Sequence, residues 1–159
     1  MSKEKTLPRG LRNNNPLNIR ITPKQRSGQG RWQGMRQEQK DRAFCQFEDM
    51  KWGWRAAFML LTRNYYAVYH LHTIRQIISR WAPPQDNNNT MDYVARVAIL
   101  MHYHPDRTLG IPSVEQARWM QLGVAMAIVE NGTNDLDYFA MLDGWCLCRE
   151  AAIKGKTSD

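Results

Sequence analysis

Glu130 has the surroundings of a carboxyl group that could pass a proton to a substrate. The apolar run of residues 125–129 comes directly before it, and Gly132 is typical of the end of a helix. A carboxyl group that is partly buried near a helix C-terminus is disfavoured in its charged form, so it can hold a proton for acid catalysis. The same pattern also fits an exposed glutamate before a glycine cap. The residue types make Glu130 a candidate acid and leave both settings open.

A second concentration of polar side chains lies near the N-terminus, in the sequence RGLRNNNPLNIR at residues 9–20. Asparagine amides close turns by bonding to nearby backbone, and they also bind hydroxyl and amide groups of ligands. Asn15 and Asn18 are the candidates for substrate binding in this segment. A structural turn is the commoner role for such residues, so the segment is predicted to be a turn, with binding as the alternative.

The histidines and cysteines form no recognisable metal or disulfide pattern. There are three cysteines, an odd number without a spread framework: Cys45, Cys146 and Cys148. The four histidines come in pairs two residues apart, which point in different directions on a helix. The sequence also lacks zinc-protease, phosphate-loop and dinucleotide-binding signatures. We therefore expect no metal and no cofactor.

Five segments carry apolar residues at helical spacing. The helix after Asp49 has one apolar face that includes Tyr65 and Val68, and it should end near residue 70. The other helices are predicted to begin at the capping residues Thr73 and Thr90, at a Ser113–Gln116 capping box, and near Asp135. In the last helix the residues expected to contact the core are Leu136, Phe139, Ala140, Leu142 and Leu147.

These elements predict a mainly α (α+β) fold class with a small N-terminal loop and β-hairpin segment. Residues 9–47 contain six glycine or proline breakers, so we expect loops there, with residues 18–21 pairing with residues 43–47. Residues 9–153 should form a single domain, which suits the chain length. Residues 1–8 and 154–159 are predicted to be flexible tails.

Positive charge is concentrated in the N-terminal part of the chain. The net charge is +7, with +9 in residues 1–63 and −2 in residues 64–159. This distribution suits a polyanionic partner, either nucleic acid or the anionic bacterial wall, although a solvated surface would also explain it. No apolar run is long enough for a membrane span, and the N-terminus lacks the apolar core of a secretory signal.

The motifs taken together resemble a family of phage and prophage proteins with the pattern RGIRNNNPGNIR. That family is often labelled virion or structural protein, and some members are assigned lysozyme-like or transglycosylase-like activity. The resemblance continues through WQG at residues 32–34, FCQF at 44–47, WGWRA at 52–56 and TIRQIISRWAPP at 73–84, and covers roughly residues 9–132. Two positions depart from the pattern. Leu17 replaces a glycine, and Asn87 or Asn88 stands where the family usually has a glutamate.

A weaker resemblance is to wall glucosaminidases of the lysozyme superfamily, in which the catalytic Glu precedes these motifs. Here the matching Glu-x-Gly element is Glu130 to Gly132, as if displaced by circular permutation. The resemblance implies a lysozyme-like domain with Glu130 as general acid. Trp32, Trp81 and Tyr93 could stack on sugar faces, with core or hairpin packing as the alternative, which is the better one for Trp81. Asn18 could bind an acetamido group or close its turn, and Asn15 is a further candidate for substrate binding. Glycoside cleavage usually needs a second carboxylate, and Glu48 is our candidate, with Glu38, Asp41 and Asp135 as alternatives.

Three functions remain open at this point. The first is a peptidoglycan-cleaving glycosidase, of lysozyme or lytic transglycosylase type, whose partners are glycan strands. The second is a non-catalytic virion component that binds the wall or other virion proteins. The third, ranked last because no DNA- or RNA-binding signature is present, is a nucleic-acid-binding protein. Without a signal, the protein is expected in the host cytoplasm after synthesis, reaching the virion or the wall through a holin, lysis or particle delivery.

Overall fold

A computed structural model describes residues 6–157 of the chain, with side chains through residue 155. The fold is mainly α, as predicted. In chain order the helices are α1 (Arg9–Arg12), α2 (Pro23–Arg26), α3 (Met50–Met59), a π-helix (Leu60–Val68), α4 (Ile74–Trp81), a 3-10 turn (Pro84–Asp86), α5 (Thr90–Met101), α6 (Gln116–Asn131) and α7 (Tyr138–Thr157). The predictions for residues 1–5 and 158–159 lie outside the described part. None of the helices within it is long and apolar enough to cross a bilayer.

Several helix ends are fixed by the capping residues that the sequence indicates. The side chain of Asp49 accepts a hydrogen bond at the start of α3, and that of Thr73 does so at the start of α4. Gly132 takes the left-handed conformation after α6, where a side chain would be strained. The cap of α5 is Asn89, and the predicted cap, Thr90, instead donates its hydroxyl to a backbone carbonyl of the preceding turn.

Other boundaries differ from the prediction. The expected capping box at residues 113–116 does not form, because α6 begins only at Gln116 and has no side-chain cap. The last helix begins at Tyr138, three residues later than expected, and extends through Thr157. Its final turn therefore lies within the predicted C-terminal tail, whose flexibility stays a prediction.

The long helix after Asp49 changes to π geometry at Leu60. The π-helix has the wider i to i+5 bonding, as in the hydrogen bond from the Tyr69 N–H to the Asn64 carbonyl. This wider turn breaks the single apolar face that uniform α spacing predicts. Tyr65 still packs against the core, but Val68 is 65% exposed, so its predicted place on that face is wrong.

The segment between α1 and α3 is held together largely by side chains rather than by a sheet. The predicted hairpin pairing is confirmed only as an isolated antiparallel bridge between Arg20 and Phe44, beside a second bridge further along. Three arginine side chains donate to backbone carbonyls that have no strand partner: Arg26, Arg31 and Arg36. Guanidinium groups have several fixed donors, so each can satisfy carbonyls on separate loops. Much of the positive charge in this segment thus also supports its structure.

The core is centred on α3, which lies along α7. Trp54 stacks on Phe58, and Phe58 meets Trp145 of α7 edge-on at a ring-centroid distance of 5.0 Å. Two residues predicted to face this core point elsewhere, because Phe139 is 81% exposed and Leu142 is 44% exposed. The buried residues in and before α7 are Leu136, Ala140, Met141, Trp145 and Cys148. Leu136 and Ala140 are therefore confirmed as core residues, Phe139 and Leu142 are not, and Leu147 is half-buried.

Candidate functional site

Glu130 lies in the last turn of α6, where two side chains from distant parts of the chain hydrogen-bond its carboxyl group. Asn18 donates its amide Nδ2 to Oε1 at 2.9 Å, and Tyr93 donates its hydroxyl to Oε2 at 2.9 Å. Glu130 itself is half-buried. Both oxygens therefore have a donor, and the carboxyl group is held in one orientation by residues 112 and 37 positions away.

Asn18 reaches Glu130 because the asparagine-rich segment forms a tight turn. Asn18 has a φ of 54°, a left-handed conformation that asparagine tolerates better than most residues. The side chain of Asn15 fastens the turn, since it both accepts from and donates to the backbone of Ile19 and also donates to the Cys45 carbonyl. Asn15 is fully buried. Its placement thus supports the turn and does not support the direct substrate contact that we expected.

Leu17, which departs from the resembled pattern, fits this turn without strain. It is not among the residues with positive φ, and its side chain is completely buried. The left-handed position falls on the next residue instead, so leucine at position 17 costs no backbone strain and adds apolar contacts to the core.

Gly10 and Asn131 join the turn to the end of α6. Asn131 donates its amide to the carbonyls of Pro16 and Ala127. A Cβ on Gly10 would lie 2.6 Å from Asn131 Oδ1 and 2.8 Å from Asn18 Oδ1, which is closer than atoms can approach. These two oxygens are buried and accept no hydrogen bond from the described residues. Only glycine leaves room for α1 to cover them.

Tyr93 comes from α5 and is buried, with 8% exposure. Burial, followed by the charge and hydrogen bond of Glu130, raises the pKa of Tyr93 well above its ordinary value, so the phenol keeps its proton. The hydroxyl also lies 3.4 Å from the Met126 carbonyl, a second acceptor for the same hydrogen. Tyr93 is thus placed to position Glu130, and its buried ring cannot stack on a sugar as the sequence comparison implies.

A cleft of about 300 Å³ adjoins this group, and Asn18 forms part of its wall. Aromatic side chains from three separate segments dominate the rest of the lining: Trp32, Tyr65 and Trp81. Tyr65 and Trp81 meet edge-on at 5.9 Å, and Arg20 and Gln25 add polar groups. Glu130 does not line the cleft directly but is one hydrogen bond behind Asn18. The structure thus brings together Asn18, Trp32 and Glu130, while Tyr65, on the π-helix, is a wall residue that helical spacing assigned to the core.

The second-carboxylate candidates lie elsewhere. Glu48 is exposed, and its backbone N–H bonds to Gly34 in the N-terminal segment. Asp41 is paired with Arg9, whose guanidinium, with backbone and Asn13 donors, holds the pKa of that carboxyl well below its usual range. Among the described residues, none of the candidate acids hydrogen-bonds Glu130, and none lines the cleft. In the same part of the chain, no group of histidine, cysteine or acidic side chains is arranged to hold a metal ion.

The architecture is that of a mainly helical domain with a carboxyl–amide–phenol group beside an aromatic cleft. No protein-family model matches the chain. The chain is 34% identical over 140 residues to Protein P5 of Pseudoalteromonas phage PM2, a match that covers 86% of this chain and 79% of that protein. The chain therefore belongs to the same family of phage proteins as Protein P5.

Proposed function

We propose that this phage protein is a lysozyme-like glycosidase that cleaves the glycan strands of bacterial peptidoglycan. The observation that carries the proposal is the fixed Glu130 carboxyl group, which two donors from separate parts of the fold hold next to an aromatic-lined cleft. Catalytic acids need to be oriented by neighbouring groups whose own positions are locked, and Asn18 and Tyr93 meet this condition.

The donors also indicate which oxygen would carry the catalytic proton. The amide nitrogen of Asn18 can only donate, so Oε1 is kept as an acceptor in either protonation state. The proton of the acid form then belongs on Oε2, beside the Tyr93 hydroxyl. When Oε2 is protonated, that hydroxyl can turn its hydrogen towards the Met126 carbonyl. For this step the glycosidic oxygen must reach the half-buried Glu130 at the Asn18 end of the cleft, where it takes the Oε2 proton and the leaving sugar departs with that proton.

The cleft suits a sugar chain in size and chemistry. A volume of about 300 Å³ is at the lower end for binding pockets, and the indole of Trp32 offers a flat apolar face for a pyranose ring. Because none of the carboxylates in the described part of the chain contacts Glu130, the acetamido group of the substrate would assist the departure of the leaving group, as in substrate-assisted glycosidases. The basic N-terminal segment would attract the anionic wall.

Clearing of purified cell walls tests this proposal. The wild-type protein should reduce the turbidity of a wall suspension, and Glu130→Gln, which keeps the size of the side chain, should abolish clearing. Glu48→Gln is the matched control, since it makes the same change in an exposed side chain away from the cleft, and it should clear walls like the wild type. Equal clearing by Glu130→Gln and the wild type would refute the assignment of the acid.

A second candidate is a virion component that binds the wall, or other virion proteins, without cutting the glycan. Two observations favour it: both oxygens of Glu130 already accept hydrogen bonds, and no second acid within residues 6–155 contacts that carboxyl group. A protein of this kind would co-sediment with walls without clearing them. Under either candidate it would be made in the host cytoplasm and reach the wall by particle delivery or through lysis. Binding of nucleic acid, which we rank last, would appear as salt-dependent retardation of DNA.

A further inference from the structure

A second cavity shares Trp32 with the cleft. Its volume is about 380 Å³, and Trp32 is the residue that lines both spaces. The remaining wall comes from the end of α3 and from the π-helix: Met59, Arg63, Asn64, Ala67 and Val68. A ligand that occupies the cleft and one that occupies the second cavity would therefore both contact Trp32.

The polar groups of the second cavity are unengaged. Arg63 is exposed, and neither its guanidinium nor the side-chain amide of Asn64 has a hydrogen-bond or ion-pair partner among the described residues. Arg63 also adds its positive charge to that of nearby Arg55, whose pKa is lowered by burial and, to a smaller extent, by Arg63. A guanidinium binds a carboxylate through two parallel hydrogen bonds, and an amide can bind a peptide group. These groups fit an anionic ligand that carries peptide bonds.

The π-helix explains how these side chains come to share one surface. Its wider turn places residues 63, 64, 67 and 68 along the same cavity, and the apolar side chain of Val68 is left 65% exposed there. π-Helical segments are rare and occur frequently at functional sites. An exposed valine beside a guanidinium that has no partner among the described residues is a surface that a ligand with apolar and anionic parts would cover.

We propose that the second cavity binds the acidic peptide attached to the glycan strand, with Arg63 on a peptide carboxylate and Asn64 on a peptide bond. This inference rests on the proposed function, since it assigns the peptide-bearing strand as the substrate of the same cleft. The glycan would lie in the cleft that Asn18 lines, and its peptide branch would pass Trp32 into the second cavity.

Cleavage of two substrates tests this proposal: glycan strands that carry their peptides, and the same strands after enzymatic removal of the peptides. Arg63→Met keeps the apolar stem and removes the charge. It should lower cleavage of peptide-bearing strands about tenfold relative to peptide-free strands, which corresponds to about 1.4 kcal/mol for the lost carboxylate–guanidinium contact. Arg107→Met is the matched control, an exposed arginine outside both cavities, and it should leave the ratio unchanged. An unchanged ratio in Arg63→Met would overturn the inference.

Binding separates this inference from the proposed catalytic function. Titration of a soluble disaccharide–peptide into Glu130→Gln protein, followed by calorimetry, requires no cleavage. Weaker binding by Glu130→Gln/Arg63→Met, with the peptide-free disaccharide affected less, would support the peptide site even if the wild type clears no walls. Equal affinities of both proteins for the disaccharide–peptide would exclude the site while leaving cleavage by Glu130 untouched.

Discussion

Replacing Gly10 with alanine tests whether close packing of the asparagine-rich turn against α6 holds Glu130 in place. The added methyl group would lie 2.6 Å from Asn131 Oδ1, 2.8 Å from Asn18 Oδ1 and 2.9 Å from the Asn15 carbonyl oxygen. All three are closer than the roughly 3.4 Å of an ordinary van der Waals contact. The two amides cannot withdraw freely, because Asn131 holds the turn to α6 and Asn18 holds Glu130.

The size of the effect follows from two opposing contributions. An extra methyl group in a well-packed region typically destabilises a protein by about 1–3 kcal/mol. Alanine in place of glycine within a helix recovers at most about 1 kcal/mol, and less in α1, which has a single turn. The net loss in the free energy of unfolding should therefore be roughly 1–2 kcal/mol. The shift of Asn18 should also release Oε1 of Glu130 and lower wall clearing.

Urea unfolding followed by tryptophan fluorescence measures the stability, and wall clearing measures the coupling. Gly155→Ala is the matched control, since a Cβ there meets no atom within 4 Å and the position is also helical. The control should be as stable as the wild type or slightly more stable. A Gly10→Ala protein with wild-type stability and undiminished wall clearing would refute the close packing of the turn against α6.

Three further predictions concern an ion pair, a hydrogen bond and a helix face. The pKa of Asp41 is lowered mainly by Arg9, so the ion pair stabilises the fold above the ordinary carboxyl pKa of about 4 and this stabilisation is lost as the pH falls further. In Asp41→Asn, the free energy of unfolding should therefore depend less on pH in the acid range, as measured by circular dichroism. Tyr93→Phe should fold but lower wall clearing about tenfold or more, with wall binding retained in a sedimentation assay, because the acid loses one of its two positioning groups. Phe139→Ala should change the free energy of unfolding by less than about 0.5 kcal/mol, because that side chain is exposed. Trp145→Ala should lower it by about 3–5 kcal/mol in the same urea assay, because that side chain is buried. The reverse order would mean that α7 buries the opposite face.

Helix positions were predictable where the signal is local. Asp49 and Thr73 cap their helices because a side-chain oxygen one or two bonds from Cβ can reach the free N–H groups of the first turn. Gly132 ends α6 for an equally local reason, its tolerance of positive φ. Such features depend on a few neighbouring residues, and the sequence displays them directly.

The inward face of α7 was not predictable from spacing. Its first half has apolar residues on every side, so helical spacing allows two different buried faces. One would contain Phe139 and Leu142, and the other contains Met141 and Trp145. Packing against α3 decides between them, and this is a tertiary effect. The π-helix was missed for a related reason, since nothing in residues 60–68 distinguishes i to i+5 bonding from ordinary helical bonding.

The candidate site was found in part. Residue types and sequence resemblance both identified Glu130 and Asn18 as candidates, and the structure brings them into contact although no local pattern links two residues 112 positions apart. Tyr93 was identified as a site residue, but its placement supports positioning of the acid rather than contact with a sugar. Asn15 and Glu48 were chosen by residue type alone, and residue type does not reveal whether a side chain is sealed inside a turn or far from the cleft.

Chemical analysis of digested walls tests directly whether the protein cleaves glycan strands through Glu130. Purified peptidoglycan is incubated with wild-type or Glu130→Gln protein, and the soluble products are separated and identified by mass spectrometry. The amount of protein bound to the wall is measured in the pellet. If Glu130 is the catalytic acid, new glycan ends, either reducing or anhydro, should form with the wild type only, and equal amounts of both proteins should bind to the wall. Wall fragments released equally by Glu130→Gln, or no new glycan ends from the wild type, would rule out glycan cleavage by Glu130.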